Sequence, residues 1–572
     1  MGKLTLREIL NYQPIPSKFG TSGVRGLVTE LTDLEVYCLT MGALQYFESS
    51  GKLSVSAKNQ NNINIPVACD LRPSSDRLVK ATAKAIIDAG YQVDFQGKIP
   101  TPALTFYALQ HGIASFIITG SHIPANRNGQ KANRCDGEVL KTDEKGIVTH
   151  VKRVRESLFN QPVEESIFDQ IGMIKQEFGV SIPESNNAAI ESYQQRYQDV
   201  FSATGLKGKR FLFFQYSAVG RDMIPEILRD CGAEVIEVGR SEEFIPIDTE
   251  AISQDHLLML KQLLLEKQDQ GPFDAIISTD GDSDRPLVIA VDRGGDQVNL
   301  RFIPGDLLGI VVAEYLQADS VSVPISSNPA VQEFFANKGV QTQKTRIGSP
   351  FVIAAMQQAL NVGFKRVVSW EANGGFLLGS NISVNGGLLK ALPTRDAVLP
   401  ILCALHAASE NSISLSELLA RLPKWYGKAG LIDNFPQEVS QKILEFFKPA
   451  DEKTITTEFR SDQIFVKDLN DQILEKGALS KNQSKETFAK RDLLLSVFTG
   501  ELGFSQIKAI NTLDGIRCFF DNDEIVHIRP SGNAPQLRVY AHARTQERAD
   551  EIVSQALKEP DGILRQLQTL IG

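Results

Sequence analysis

Asp280, Asp282 and Asp284 stand at alternate positions in STDGDSDRPL, directly after the apolar run Ala275 to Ile277 and directly before Arg285. If the loop curls, that spacing aims three carboxylates at one point, and hard divalent cations such as Mg2+ take oxygen ligands of this kind together with phosphate oxygens. An EF-hand would need Gly at loop position six and Glu at position twelve, where this chain has Arg285 and Val291, so that reading is excluded. Taken alone, the loop also reads as a solvated acidic turn. A cation placed behind the anions favours a site where phosphate is both bound and released. Repulsion among like charges predicts that Asp282→Asn leaves metal-free stability unchanged or higher.

A second stretch, TGSHIPANRNGQK, follows Phe116-Ile117-Ile118 and carries Ser121, His122 and Lys131. A hydroxyl is a poor nucleophile near neutral pH without a base or a metal, whereas a phosphoserine beside Mg2+ is a poised phosphoryl donor. His122 and Lys131 are the nearby proton-handling candidates, and His122 reads equally well as a satisfied loop histidine. Two further stretches offer anion-binding groups. KFGTSGVRG sets Arg25 beside glycines that can form a backbone nest, and RPSGNAPQLR presents Arg529, Ser531, Gly532, Asn533 and Arg538 around a turn that can wrap a phosphate. Either alone is more often a plain turn.

These loops need strands and helices to hold them. INIPVACDLRPSSDRLVKATAKAIIDAGYQVDF reads as strand, helix and strand, with Ser74 or Ser75 capping the helix, Leu78, Val79, Ala83 and Ile86 on one face, and Gly90 ending it. The same grammar recurs from Lys209, with a strand over Phe211 to Phe214, a helix over 221–231 and a strand over Glu234 to Val238, and again from Asp319 through EANGG. After about residue 420 it changes to closely spaced strands, GIRCFF, EIVHIRP and LRVYAHA, followed by a helix. The expected layout is α/β domains over 1–185, 186–300 and 301–420, then an α+β domain over 421–572 with a surface insertion at 470–492.

Bulk properties agree with a multidomain globular protein of 572 residues, 42% hydrophobic and 23% charged. A net charge of −9 without a long basic run argues against nucleic acid as a partner. No apolar stretch approaches membrane-spanning length, and the six cysteines lie apart with no CxxC pair, so reduced thiols in a cytoplasmic protein with no membrane partner are expected.

Taken in chain order, FGTSGVRG, TGSHIPANRNGQK, DGDSDR, EANGG and RPSGNAPQLRVY resemble the signature series of the α-D-phosphohexomutases, the phosphomannomutase and phosphoglucomutase superfamily. The resemblance implies a four-domain architecture around a central cleft, three related α/β domains and a C-terminal α+β domain that clamps phosphate. It implies that Ser121 is the phosphorylated serine and contributes to the metal site with Asp280, Asp282 and Asp284, that Arg285 assists at the reacting centre, and that Lys131 and Arg25 match acid–base and supporting positions. Glu371, Asn373 and Gly374 fall in the implied sugar loop. That loop departs from the usual Gly-Glu-x-Ser-Gly-His, with Asn373 for the serine and Gly375 for the histidine; Ser349 also replaces a usual histidine, and Asn533 and Ala534 replace Thr and Glu.

EANGGFLLG, PIDTEA, TRIGSP and LPTRDAVLP resemble a bacterial subgroup described as phosphomannomutases. The implied reaction interconverts mannose 6-phosphate and mannose 1-phosphate, with glucose phosphates as the second choice. It would run with Mg2+ and a hexose 1,6-bisphosphate activator, in a monomer or homodimer. A phosphosugar-binding paralogue without turnover and a metal-dependent phosphatase are the other readings.

Overall fold

The computed structural model describes residues 4–16, 19–20, 23–55, 63–250, 252–294, 297–461, 463–469, 472–475, 481–530 and 536–571. The chain forms two compact units, Met1–Val321 with Gly348–Leu419, and Ser322–Ile347 with Ala420–Gly572.

In the first unit, a six-stranded sheet runs in the order Val24–Leu27, Arg127–Arg134, Ser115–Ile118, Asn64–Cys69, Gln92–Lys98, with Gly137–Glu138 beside Arg127–Arg134. Asn64–Cys69 pairs in parallel with both of its neighbours, so its crossovers are helical, as parallel strands require. The helix Ser75–Asp88 buries Leu78, Val79, Ala83 and Ile86, and Gly90 follows its end at φ +87°. Its expected cap is absent. Ser74 stands at the N-cap position with helical backbone and no capping bond, and its hydroxyl accepts from Asn128 Nδ2 at 2.8 Å instead. Ser75 donates to Asp70 at 2.7 Å, so tertiary partners have taken both hydroxyls.

A second sheet of this unit runs Gln297–Phe302, Pro286–Gly294, Ala275–Thr279, Arg210–Tyr216, Glu234–Arg240, with Arg210–Tyr216 parallel to both neighbours. Further along, Val367–Trp370 pairs antiparallel with Phe376–Leu378, which pairs with Leu392–Asp396. One construction recurs in all of these. The strands Ser115–Ile118, Ala275–Thr279 and Val367–Trp370 are buried at every position, and each runs into a short loop from which the chain returns antiparallel beside it. The loops are 119–126, 280–285 and 371–375, called here the serine, aspartate and glutamate loops.

The second unit carries an eight-stranded antiparallel sheet in the order Tyr426–Ile432, Leu537–Ala543, Ile525–Pro530, Ile516–Phe520, Ile507–Asn511, Thr456–Arg460, Gln463–Lys467, Ile473–Glu475. Helices Gln437–Phe447, Gln546–Leu557 and Ile563–Ile571 pack through Ile443, Ile552 and Leu564 onto its face of Cys518, Phe520, Val526 and Ile528. Within 470–492 lie the edge strand and most of the helix Lys481–Leu495, whose Phe488 packs against this core. Among the described residues, no helix is long and apolar enough to cross a membrane.

Candidate active site

The serine loop is built around a buried arginine. Arg72 Nη1 donates to the carbonyls of Pro124 (2.8 Å) and Arg127 (2.9 Å), Nη2 to those of Ser121 (2.9 Å) and Ile123 (2.5 Å), and Nε to Asp70 (3.2 Å). Its guanidinium lies 4.0 Å from the Phe244 ring centroid. Gly120 is glycine because a Cβ there would lie 2.6 Å from Arg72 Cζ. Held this way, Ser121 sits at φ +56°, a left-handed conformation uncommon outside glycine and found where structure over-determines it. The return strand sets Lys131 opposite Ile117, and the next strand sets Arg25 opposite Gly129.

The aspartate loop meets the serine loop. Asp280 Oδ2 accepts from Ser121 Oγ at 2.6 Å, and its Oδ1 accepts from the backbone N–H groups of Asp284 and Arg285. Asp282 Oδ2 accepts from Thr101 Oγ1 (2.8 Å) and Lys131 Nζ (2.8 Å), while Asp284 Oδ2 accepts from Lys131 Nζ (3.0 Å) and Arg395 Nε and Nη2 (3.0 and 2.9 Å). Asp282 Oδ1 and Asp284 Oδ1 are buried and accept no hydrogen bond among the described residues; Arg285 Nε is 3.5 Å from the latter. Ligand oxygens of the three aspartates lie within 4.8 Å of one another. Orphaned buried carboxylate oxygens converging on one point fit a hard divalent cation.

Burial and the neighbouring Asp282 and Asp284 push the Asp280 carboxyl well above its ordinary range. Burial acts the same way on Asp282 and Asp284, but is outweighed at Asp282 chiefly by Lys131 and at Asp284 chiefly by Arg395, and both are held low. The expectation that Asp282→Asn relieves repulsion is therefore corrected. Asp282 is a compensated anion, and Asp280 is the strained member of the three.

His122 differs from a proton carrier. Burial, then Arg285 and Arg25, depress it to about 2, so the ring is neutral, and its Nδ1 accepts from Arg285 Nη1 at 2.8 Å. Its contact with Ser121 Oγ is long, 3.4 Å. Among the described residues, Arg25 Nε and Arg285 Nε are buried without a hydrogen-bond partner, so two cationic donors stand unsatisfied in the surroundings of His122.

In the glutamate loop, Glu371 Oε2 accepts from Arg395 Nη1 at 2.9 Å. Asn373 Oδ1 accepts from the backbone N–H of Gly375 at 3.0 Å and its carbonyl accepts from Thr249 Oγ1 at 3.2 Å, so much of its polar capacity serves the loop itself. Gly374 takes φ +86° at the turn. The space beside Gly375 is filled by Arg395, whose Cδ would lie 2.5 Å from a Cβ at 375. Ser349 opens the helix Ser349–Asn361 and donates to Glu138 at 2.8 Å, a tie within the fold.

Ser121, His122, Lys131, Arg25, Arg285, the three aspartates and Glu371 thus share one neighbourhood of the first unit, joined by Thr101, Arg72 and Arg395, which the sequence reading missed. The motif after strand Asn64–Cys69, Asp70-Leu71-Arg72, offered a signal for Arg72, because a charged pair at the carboxyl end of a buried strand needs partners. In the second unit, Arg529 and Arg538 stand opposite each other on paired strands, with Arg529 Nε donating to Asp514 at 3.0 Å. Ser531, Gly532 and Asn533 lie outside the described residues.

Fold and site define a multidomain α/β enzyme with a carboxylate cluster able to hold a metal. Family models for phosphoglucomutase/phosphomannomutase match residues 16–157 (alpha/beta/alpha domain I), 304–426 (alpha/beta/alpha domain III) and 471–559 (C-terminal domain). A phosphomannomutase of Sinorhizobium fredii is 37% identical over 94% of this chain and 98% of its own, and one of Salmonella muenchen is 35% identical over 96% and 98%. A phosphoglucomutase/phosphomannomutase family protein of Burkholderia thailandensis has a solved structure that matches with TM-score 0.61 at 16% identity, over 96% of this chain and 97% of that one. The chain belongs to the phosphoglucomutase/phosphomannomutase family.

Proposed function

We propose that the chain is a phosphomannomutase that interconverts mannose 1-phosphate and mannose 6-phosphate through a phosphoserine at Ser121. The observation that carries this is the 2.6 Å contact between Ser121 Oγ and Asp280, inside a cluster that also holds buried, unsatisfied carboxylate oxygens and unsatisfied guanidinium nitrogens. Such a site offers acceptors to a cation and donors to a phosphoryl group together. The names of the Sinorhizobium fredii and Salmonella muenchen relatives support mannose phosphates, while relatives at 24–26% identity are named phosphoglucosamine mutases.

Phosphorylated Ser121 gives its phosphoryl to O6 of mannose 1-phosphate, breaking the Ser121 Oγ–P bond and forming mannose 1,6-bisphosphate. The bisphosphate turns over, its O1–P bond breaks, and Ser121 Oγ regains the phosphoryl as mannose 6-phosphate leaves. A bisphosphate supplied from outside restores the enzyme when the intermediate escapes. Arg25 and Arg285 donate to the transferring group, and Lys131 carries the proton between the attacking hydroxyl and the leaving oxygen. Asp280, Asp282, Asp284 and the Ser121 phosphate would hold Mg2+, which supplies Lewis-acid stabilisation of phosphoryl oxygens. Glu371 binds ring hydroxyls, Asn373 and Gly374 shape the loop that presents it, and the residue types of Arg529, Ser531, Gly532, Asn533 and Arg538 suit them to phosphate binding.

The test is turnover of mannose 1-phosphate with a trace of its bisphosphate. Ser121→Ala is expected to lose mutase activity by several orders of magnitude and to lose a mass about 80 Da heavier present in the unaltered protein. Near-normal turnover by Ser121→Ala would overturn the assignment, and steady release of inorganic phosphate would make the protein a phosphatase.

A further inference from the structure

Arg395 lies on the strand Leu392–Asp396, fully buried, and one guanidinium reaches two loops. Nε and Nη2 hold Asp284 Oδ2 of the aspartate loop, and Nη1 holds Glu371 Oε2 of the glutamate loop. Its aliphatic stem occupies the space that the missing side chain of Gly375 leaves. The strand itself is pinned one residue on, where Asp396 accepts from the hydroxyls of Tyr193 and Tyr197, both at 2.5 Å, and from Arg196 Nη1 at 3.2 Å.

This arrangement fixes both carboxylates. With Lys131, Arg395 places three donor contacts on Asp284 Oδ2 and leaves Oδ1 to face the cluster, so the guanidinium sets the rotamer in which Asp284 offers an oxygen to a cation. On the other side it takes one oxygen of Glu371 and orients the carboxylate. A cation beside Asp284 draws on that carboxylate's charge, weakening its hold on Arg395 and strengthening the pull of Arg395 on Glu371. The planar fork serves both partners at once, which a lysine ammonium on a flexible stem cannot do.

We propose that Arg395 is a positioning residue that couples cation binding at the aspartates to hexose binding at Glu371. The hexose half rests on the function proposed above, and the cation half does not. Both halves are measured by titration calorimetry on the full chain with Ser121 unphosphorylated and no bisphosphate present, so that no turnover intervenes, first with Mg2+ alone and then with mannose 1-phosphate without and with saturating Mg2+. With Arg395 present, Mg2+ is expected to raise affinity for the sugar phosphate about tenfold, within the usual range of coupling. Arg395→Lys keeps the charge and loses the fork. It should weaken Mg2+ binding by about 10- to 100-fold, as loss of an outer-shell partner does, and bring the coupling factor to about one.

Unchanged Mg2+ affinity or an intact coupling factor in Arg395→Lys would overturn the proposal. Should that variant fail to fold, Glu371→Gln keeps an acceptor but takes the charge from the sugar-side tie alone: it should bring the coupling factor toward one with Mg2+ affinity retained, and a coupling factor unchanged by it counts against the proposal equally. A parent protein that binds both ligands without coupling overturns this inference only. A parent that binds Mg2+ but no hexose phosphate overturns the functional reading and the hexose half with it.

Discussion

The aspartate loop and the glutamate loop share a backbone design and use their polar atoms in opposite ways. Each leaves a buried strand and returns antiparallel within a few residues, Thr279 facing Pro286 in one and Trp370 facing Phe376 in the other. The aspartate loop keeps two buried carboxylate oxygens unsatisfied. The glutamate loop closes on itself, Asn373 accepting from Gly375 and Glu371 held by Arg395. A loop meant for a bare cation must keep acceptors in reserve, whereas one meant for a hydroxylated ring needs few groups in fixed positions. Departures that look in sequence like lost sugar-binding groups are thus filled from inside the protein.

The serine loop extends the comparison, because a single arginine holds it open from within. Arg72→Met removes a buried cation that serves four carbonyls and Asp70, and leaves the Asp70 carboxylate buried without its cation, hydrogen-bonded by Ser75 and backbone N–H groups. Breaking one partner from a buried pair costs about 3–5 kcal/mol, and the expected loss in urea melts lies in that range. Turnover should fall with it, since Ser121 loses its left-handed backbone. A variant with unchanged stability would mean the loop holds its shape without a filler.

The aspartate loop can be divided by substitution. Asp280 is the carboxylate that burial and then its neighbours destabilise as an anion, so Asp280→Asn is expected to hold or raise metal-free stability, measured by melting in a chelator. Asp282 is compensated by Lys131 and Thr101, and Asp282→Asn should lower metal-free stability by about 2 kcal/mol, less than full stranding because Lys131 keeps Asp284. Both should weaken Mg2+ binding by more than about 100-fold, since a direct ligand outweighs an outer-shell partner. Equal metal-free stabilities for the two would remove the distinction between strained and compensated aspartates.

Acid separates the serine loop from the aspartate loop. A histidine held neutral in the folded state, at about 2 against an ordinary 6.5, binds its proton only on unfolding. The unfolded state then carries the extra proton, and stability falls as pH drops below about 6.5. At pH 5.5 the loss assignable to His122 is about 1.4 kcal/mol. Asp282 and Asp284, with lowered values, contribute stability that is lost only below the ordinary aspartate value of 3.8, whereas Asp280, raised by burial and its neighbours, binds its proton first in the folded state and works in the opposite sense to His122, in the unaltered protein and the His122 variant alike. His122→Gln should therefore reduce the difference in unfolding free energy between pH 7.5 and 5.5 by about that amount, and an unchanged difference would place the titration elsewhere, with His406 and His527, both depressed to about 4, and His542, held lower still by burial, as the candidates.

Much of this was legible before any coordinates. Buried strands announce themselves through runs such as Phe116-Ile117-Ile118, because a strand covered on both faces needs apolar residues throughout, and the reacting loops follow them directly. The convergence of Ser121, the aspartates and Glu371 was implied by the family resemblance that the motif order carries. What was not legible depends on partners far along the chain. Arg72 meets its carbonyls some 50 residues on, and Arg395 meets Asp284 across 111 residues, so no local spacing betrays either. Ser74 and Ser75 looked like caps because local rules know nothing of Asn128 or Asp70. His122 reads in sequence as a proton carrier or a satisfied loop histidine alike, and its burial, with two arginines beside it, is invisible to local spacing.

The smallest expected effect tests the self-satisfied character of the glutamate loop. Sequence alone suggests that Asn373 reads a sugar hydroxyl, so that Asn373→Ala would shift the ratio of mannose to glucose phosphate turnover. In the structure its Oδ1 accepts from the Gly375 N–H and its carbonyl is held by Thr249, so the side chain shapes the loop that presents Glu371. Removing that acceptor leaves one buried N–H unsatisfied, worth about 1 kcal/mol. Catalytic efficiency for both hexose phosphates should then fall by the same factor, about fivefold, with their ratio unchanged, because the loosened Glu371 serves either ring. Asn373→Asp keeps an acceptor at the same place while losing the amide donor, and should restore most of the efficiency. Steady-state kinetics of both variants on both sugars decide the matter. A ratio that moves in Asn373→Ala and is not restored in Asn373→Asp would return the amide to direct hydroxyl recognition and leave Gly375 to be held by other means.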